Sequence, residues 1–316
     1  MNLKQLEYFV RVAEAGSFSR AAMILKVAQP ALSRQVRLLE TDLRTALLLR
    51  TGRGVVLTEA GKRLFEHGTG ILQLMAHARH DIESRRDEPA GAIVIALPPT
   101  LARLLTMPLV EAFRQQLPRA RLAVVEGFST HIAEWVATGR VDVGAVYDPE
   151  PAPALETAPV REEALCLVSA ATPSARRRAR SEPAEAHVLE FAELPRYPLI
   201  VPERAHTFRR LLEGQAARQG LKLDVAWEMS SVQSILELVR AGYGHAVLTE
   251  SAVRASGRAA DYRVRPLVRP QLVTALCLAV SAHKPATPLR RHAMRLLLEL
   301  LRPGAPPAAR SHNGTR

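Results

Sequence analysis

The stretch Ser17–Leu43, SFSRAAMILKVAQPALSRQVRLLETDL, constrains this chain more than any other. From Phe18 the apolar positions recur as Phe18, Ala21, Ala22 and Leu25, which is helical spacing. Ser17 can cap that helix, because its hydroxyl can accept from the free amides of a first turn. After a tight turn a second helix is expected from Gln29–Pro30, proline being suited to a first helical turn. At about 100° per residue, Leu32, Val36, Leu39 and Leu43 fall on one side of it, and Pro30, Ser33, Arg34 and Arg37 on the other. A helix with two arginines and a serine on its outer face can enter a DNA major groove and donate to phosphates and base edges. Taken alone, the pair reads equally well as two amphipathic helices whose basic face is merely solvated.

The flanking residues extend this pattern. Leu3, Leu6, Phe9, Val10 and Ala13 lie on one helical stripe, so a first helix can close a three-helix core, with Gly16 as its C-terminal cap. After Leu43, two short apolar runs flank Thr51-Gly52-Arg53-Gly54, the pattern of a tight hairpin. Arg50 and Arg53 are thereby placed on a small β-wing. A wing-tip arginine can reach the negative potential of a narrow minor groove, although a surface hairpin with solvated arginines has the same sequence. Thr58 can cap a further helix running to roughly Asp87. Its positions Leu64, Gly68, Leu72, Met75, Ala78 and Ile82 form a coiled-coil-like seam, which implies a homodimer. Gly61, Gly68 and Gly70 each lower helix propensity by about 1 kcal/mol relative to alanine, so packing must compensate. His77 and His80 stand one turn apart but lack further ligands for a metal.

The 316 residues suggest two domains, and a hydrophobic fraction of 47% is enough for real cores. The net charge of +12 favours an anionic partner. Residues 1–63 carry 11 Lys and Arg against 5 Asp and Glu, half of that excess. The rest lies elsewhere, partly in Arg176, Arg177, Arg178 and Arg180, so net charge does not by itself locate a nucleic-acid surface. Cys166 and Cys277 sit in apolar, strand-like runs and read as buried thiols of a reducing compartment. With no apolar leader and no run of 18 apolar residues, neither secretion nor membrane spanning is expected, and the protein is placed in the cytoplasm.

From residue 92 the pattern changes. Strands are expected at 92–96, 121–125 and 141–146, with helices from Pro98-Pro99-Thr100 to about 116 and at about 130–138. This β-α-β-α-β rhythm implies a mostly parallel sheet, with ligands bound beyond the carboxyl ends of its strands. A second lobe of the same kind is expected from about Arg161 to Val268, with strands near 164–169, 198–201 and 245–248. The chain then returns through a strand near 272–280 and a helix near 288–302. Hydroxyls stand at the expected helix starts: Thr100, then Ser129 and Thr130, then Thr207, then Ser230 and Ser231. Each alone reads as an N-cap, while a helix N-terminus with free amides and a hydroxyl also favours anions. The arginine-rich stretch 171–187 reads as a mobile surface loop, and the tail from Pro303 as disordered.

Three stretches in this order, LKQLEYFVRVAEAGSFSRAA, AQPALSRQVRLLE and RTGRGVVLTEAG, closely resemble the LysR-type transcriptional regulators. LPPTLARLLTMPLVEAFRQQLP, RLAVVEGFSTHIAEWVATGRVDVGAVYD and SSVQSILELVRAGYGHAVLTESAV resemble that family's effector domain, with some similarity to its nitrogen-assimilation branch. The resemblance implies a fold of class α plus α/β in four parts. These are a winged helix-turn-helix at 1–58, a linker and dimerisation helix at 59–88, a two-lobed periplasmic-binding-protein-like domain at 89–303, and a tail at 304–316. It implies a bacterial regulator without cofactor, binding a dyad operator in double-stranded DNA as a homodimer and dimer of dimers. It puts Gln29, Pro30, Ser33, Arg34, Arg50 and Arg53 at the DNA; Arg37 faces the same way by geometry. It puts a small effector in the cleft between lobes at Thr100, Ser129, Thr130, Thr207 and Ser230, and the helix starts there suit a carboxylate.

Two departures stand out. Ala28 replaces the usual serine before the second helix, which loses a side-chain cap. The pattern Leu-Gly-x-x-Leu-Phe before the wing reads here Leu43-Arg44-Thr45-Ala46-Leu47-Leu48. Against an enzyme on the α/β domain stand the lack of a nucleophile elbow, Walker loop, dinucleotide glycine fingerprint or zinc-binding spacing. Against a pure solute-binding protein stands the helix-turn-helix.

Overall fold

A computed structural model describes residues 1–52, 54–83, 89–171 and 188–302. Arg53, the arginine-rich stretch from 172 to 187, the tail from 303 and the side chains of His77, His80 and Ile82 lie outside the described residues. The N-terminal head is built from α1 (Leu3–Ala15), α2 (Phe18–Leu25) and α3 (Gln29–Asp42). Each boundary has a local cause. Gly16 ends α1 in the left-handed conformation, and Ser17 caps α2 by accepting from the Arg20 amide. At α3, Ala28 offers no side-chain cap, as its sequence implied, and Pro30 lies in the first turn. Leu6, Phe9, Val12, Ala21, Leu32, Val36 and Leu39 are buried together, so the helices meet on the faces their periodicity marked.

A two-stranded wing follows, β1 (Leu48–Thr51) against β2 (Gly54–Leu57), antiparallel with Thr51 opposite Gly54. Arg44, standing where the family pattern has glycine, has φ of 50°. Its amide is bonded to the Thr41 carbonyl. Glu40 then ties α3 to the wing, its Oε1 accepting from the amides of Leu47 and Leu48 at 2.8 and 3.1 Å.

The long helix α4 (Glu59–Glu83) begins where Thr58 accepts from the Gly61 amide at 3.0 Å. The first half of its apolar stripe is covered within the same chain. Leu64 and Leu72 pack on the head, and a Cβ at Gly68 would meet Leu6 at 2.9 Å. The periodicity signalled burial correctly, but the body covering the first half of the seam is α1 of the same chain. Among the described residues, the exposed large apolar side chains of α4 are Ile71 and Leu74. A Cβ at Gly70 would fall on the Thr138 carbonyl oxygen, so α4 also touches the following domain. There Arg140 lies 5.9 Å from the ring centre of Phe65 on α4 and 4.7 Å from that of Trp135.

The larger domain has two lobes. The first holds β3 (Gly91–Leu97), α5 (Pro99–Gln116), β4 (Ala120–Glu126), α6 (Ser129–Ala137) and β5 (Val143–Tyr147). Strand β6 (Leu155–Ala170) then runs from the first lobe into the second. The second lobe adds β7 (Leu189–Glu190), β8 (Leu199–Pro202), α7 (Thr207–Arg218), β9 (Val225–Met229), α8 (Val232–Arg240), β10 (Ala246–Thr249), α9 (Glu250–Ala255) and β11 (Tyr262–Val268). Strand β12 (Val273–Ser281) and helix α10 (Pro288–Leu301) return to the first. The lower half of β6 pairs with β12, and its upper half with β10 and β11. The parallel β-α-β-α-β unit expected of the first lobe is present, but it does not extend across the whole sheet. β4, β3 and β5 are parallel, whereas β12 is antiparallel to both β5 and β6, and β6 is antiparallel to β10 and β11. Two lobes joined by antiparallel crossing strands oblige the sheet to be mixed. Among the described residues no helix is long and apolar enough to cross a membrane, and no cluster of three metal-ligating side chains occurs.

Candidate functional site

The outer face of α3 presents Gln29, Pro30, Arg34 and Arg37 to solvent, opposite the buried Leu32, Val36 and Leu39. Ser33 is only 9% exposed. It lies beneath Arg50, whose Nη2 donates to the Ser33 hydroxyl at 3.1 Å. The Arg50 guanidinium also stands 5.1 Å from the ring centre of Phe18, the first residue of α2. One wing arginine thus joins β1, α2 and α3, a connection that helical spacing could not reveal.

The second candidate site is a cavity of about 590 Å³ between the two lobes. Thr100, Ser129, Thr207 and Ser230 all line it. Thr130 lines a smaller adjoining cavity of about 330 Å³, beside Glu134, Asp148 and Arg210. The starts of α5, α6, α7 and α8 converge on the larger space, and the first-turn amides of a helix have no partner within the helix itself. The hydroxyls are not the caps their positions suggested. Thr100 is the second residue of its helix, and Ser129 and Thr207 are the first of theirs. Pro98 and Phe128 precede α5 and α6 without a side-chain cap, and at α7 the cap is His206. Ser231 alone among these hydroxyls caps, accepting from the Ser234 amide.

His206 Nδ1 accepts from the Phe208 amide at 3.2 Å. Burial pulls its pKa down to about 4, so the ring is neutral at pH 7 and carries its proton on Nε2. Thr207 is 6% exposed, and its hydroxyl has no hydrogen-bond partner among the described residues. The Ser129 hydroxyl accepts from the Tyr147 amide at 2.9 Å and retains its own proton for donation. At the floor, the Tyr147 hydroxyl donates to Glu163 at 3.3 Å. Burial, reinforced by the Glu163 charge, raises the phenol's pKa. Glu163 also accepts from Arg161 at 2.7 Å and from the Ser251 hydroxyl. Sequence reading missed His206, Tyr147, Phe128 and Phe208 in this wall; an isolated ring carries no spacing signal.

Comparison with known proteins now bears on both sites. Residues 3–62 match the bacterial regulatory helix-turn-helix protein model of the lysR family, and residues 86–304 match the LysR substrate binding domain. The chain belongs to the LysR family. Over 302 residues, 95% of each chain, it is 30% identical to the nitrogen assimilation regulatory protein Nac of Klebsiella aerogenes. Among solved structures it resembles a full-length OxyR variant from Pseudomonas aeruginosa, with a TM-score of 0.69 at 23% identity, covering 95% of this chain and 94% of that one. It also resembles full-length CbnR complexed with its target DNA, with a TM-score of 0.53 at 24% identity, covering 96% of this chain and all of that one. This LysR-family chain is a transcriptional regulator with a DNA-binding helix-turn-helix and an effector-binding domain; it is not an enzyme.

Proposed function

We propose that this LysR-type regulator binds a dyad operator through paired heads, with α3 in successive major grooves. The carrying observation is the solvent face of α3, where Gln29, Pro30, Arg34 and Arg37 stand clear of a buried apolar face. Gln29 and Arg34 have the chemistry to read base edges, and Arg37 suits a phosphate. Arg50 holds Ser33 and the wing in place. Arg53, assigned by sequence position alone, reaches the minor groove. Operation in the cytoplasm, where promoter DNA lies, follows from this reading.

The working form is a homodimer through α4, paired into a tetramer. Ile71 and Leu74 supply apolar surface for a second chain. The parts are the head at 1–58, the linker at 59–88, the effector domain at 89–303 and the tail at 304–316. A small carboxylate in the cleft, held at Thr100, Ser129, Thr207 and Ser230 with Thr130 in the adjoining space, selects one lobe arrangement over another. To regulate, it must bind one arrangement more tightly.

The test is a gel shift and footprint on the intergenic DNA upstream of the gene, against random DNA at physiological salt. Protection of a dyad at about nanomolar protein is expected. Arg34→Ala should cost about 1–3 kcal/mol and relax base preference at one position. Equal, salt-labile binding to both DNAs would sink the reading.

A further inference from the structure

The outer face of α10 is basic. Residues 288–302 hold Arg290, Arg291, Arg295 and Arg302 against one acid, Glu299. Leu289, Ala293, Leu296, Leu297 and Leu301 are buried, and Arg290 is buried with them. Arg291, Arg295 and Arg302 are exposed. At about 100° per residue these three fall within about 40° of one another, opposite the buried face. They mark a stripe roughly 16 Å long, at 1.5 Å per residue.

Their hydrogen bonds leave the charge unmatched. Arg291 donates to the Ala286 carbonyl, and Arg295 to Nδ1 of His292 at 3.1 Å. Arginine can only donate, so the His292 proton is on Nε2 and is donated to Gln116 Oε1 at 3.2 Å. Glu299 follows Arg295 by one turn, yet the Arg295 guanidinium is turned to His292 instead. Other exposed arginines have carboxylates: Arg11 has Glu14, Arg196 has Glu193, Arg240 has Glu237 and Arg269 has Glu190. Among the described residues no carboxylate pairs with Arg291, Arg295 or Arg302.

Charge complementarity singles out the occupant. The same chain binds DNA through its head. Helix α10 packs on α5 and β3 of the first lobe, and that lobe rests on α4 where Gly70 meets Thr138. The stripe is therefore carried beside a DNA-bound head, past which the duplex continues with about one negative charge per 1.7 Å.

We propose that the outer face of α10 is a second, sequence-independent DNA contact, where Arg291, Arg295 and Arg302 neutralise phosphates of the duplex flanking the operator. This rests on the operator reading above and goes beyond it, by giving the effector domain a DNA contact of its own.

The experiment compares the full-length protein with the triple variant Arg291→Gln, Arg295→Gln, Arg302→Gln. Glutamine keeps a helix propensity close to that of arginine, and matching thermal melts confirm that the variant is folded. Binding is measured over a range of salt on an operator fragment cut at the footprint and on one extended by about two helical turns on each side. On the long fragment the slope of log affinity against log salt should fall by about 0.9 for each arginine, up to about 2.7. The advantage of the unaltered protein then shrinks up to about fortyfold between roughly 50 and 200 mM salt. On the short fragment the two proteins should agree within about twofold. The control triple variant Arg196→Gln, Arg240→Gln, Arg269→Gln removes the same charge from the second lobe and should leave the slope unchanged. An unchanged slope for the α10 variant, or an equal loss on both fragments, overturns the proposal. So does an equal loss in the control, which would reflect net charge alone. Unaltered DNA binding with reduced transcription by added RNA polymerase would place an acidic protein surface on α10 and also overturn it. On long random DNA the same difference in slope is expected, so the contact is decided even where the operator reading fails.

Discussion

Replacing Arg50 by alanine tests whether the wing arginine holds the recognition helix or touches DNA directly. Two contacts would be lost: the hydrogen bond to Ser33 at 3.1 Å and the guanidinium over Phe18 at 5.1 Å. A hydrogen bond from a charged donor contributes about 1.5 kcal/mol at the low end suited to a half-exposed site. The ring contact adds about 0.5–1 kcal/mol. The sum, about 2 kcal/mol, corresponds to roughly thirtyfold in a local opening equilibrium. Hydrogen exchange of peptides covering α3 and β1 in the full-length protein reads that quantity directly. Ser33→Ala should accelerate the same amides about fivefold, and the double variant should add little to Arg50→Ala, a coupling of about 1 kcal/mol. Operator affinity should fall for both single variants, with the slope of log affinity against log salt unchanged. A slope reduced by about 1 with unaltered exchange would mean that Arg50 neutralises a phosphate instead, and the pinning argument would be wrong.

Other perturbations follow from the same geometry. Gly70→Ala would stabilise a solvent-facing helix by about 1 kcal/mol; here the new Cβ meets the Thr138 carbonyl, so a loss of about 1–3 kcal/mol is expected on thermal melting, and a gain would show that α4 does not rest on the first lobe. Arg44→Gly relieves a left-handed residue with φ of 50° and should stabilise the head by up to about 1 kcal/mol, seen as slower exchange in the turn between α3 and the wing. His206 has a folded pKa of about 4, below its ordinary value of 6.5. Between those values the unfolded chain binds the extra proton, so stability rises with pH there and is lost as pH falls from about 6.5 toward 4. His206→Asn should flatten that part of the stability profile relative to the unaltered protein, and an identical profile would remove His206 as its source.

How much of this was legible in the sequence depends on what kind of information each feature needed. Ser17, Gly16 and Thr58 announced their roles because caps are local: a hydroxyl or a glycine next to a periodic run is enough. The faces of α3 were equally plain, since about 100° per residue sorts Leu32 from Arg34. Ser33 was not, because its burial depends on a side chain 17 positions later. The seam of α4 shows the same limit. Spacing tells that Gly68 and Leu72 are covered, but only the fold tells that α1 covers the former. Strands β9 and β11 escaped notice, β9 being exposed along most of its length and β11 carrying two arginines and a proline. The cleft hydroxyls were marked by the expected helix starts, and the family resemblance gathered them into one cleft. Their freedom from capping duty, and the rings in the same wall, required knowing where each helix begins.

Helix α6 has one end in the cleft, at Ser129, and the other beside Gly70 of α4, through Thr138 and Arg140. It is a strut about 14 Å long between the cavity and a bearing on α4. The bearing lies roughly 17 Å along α4 from its first residue, so a tilt of about 5° there swings that end by about 1.5 Å, by simple geometry on the helix rise. Since α1 is packed on the same stretch of α4, the head cannot lag behind. A shift of that size is comparable to half the rise between base pairs.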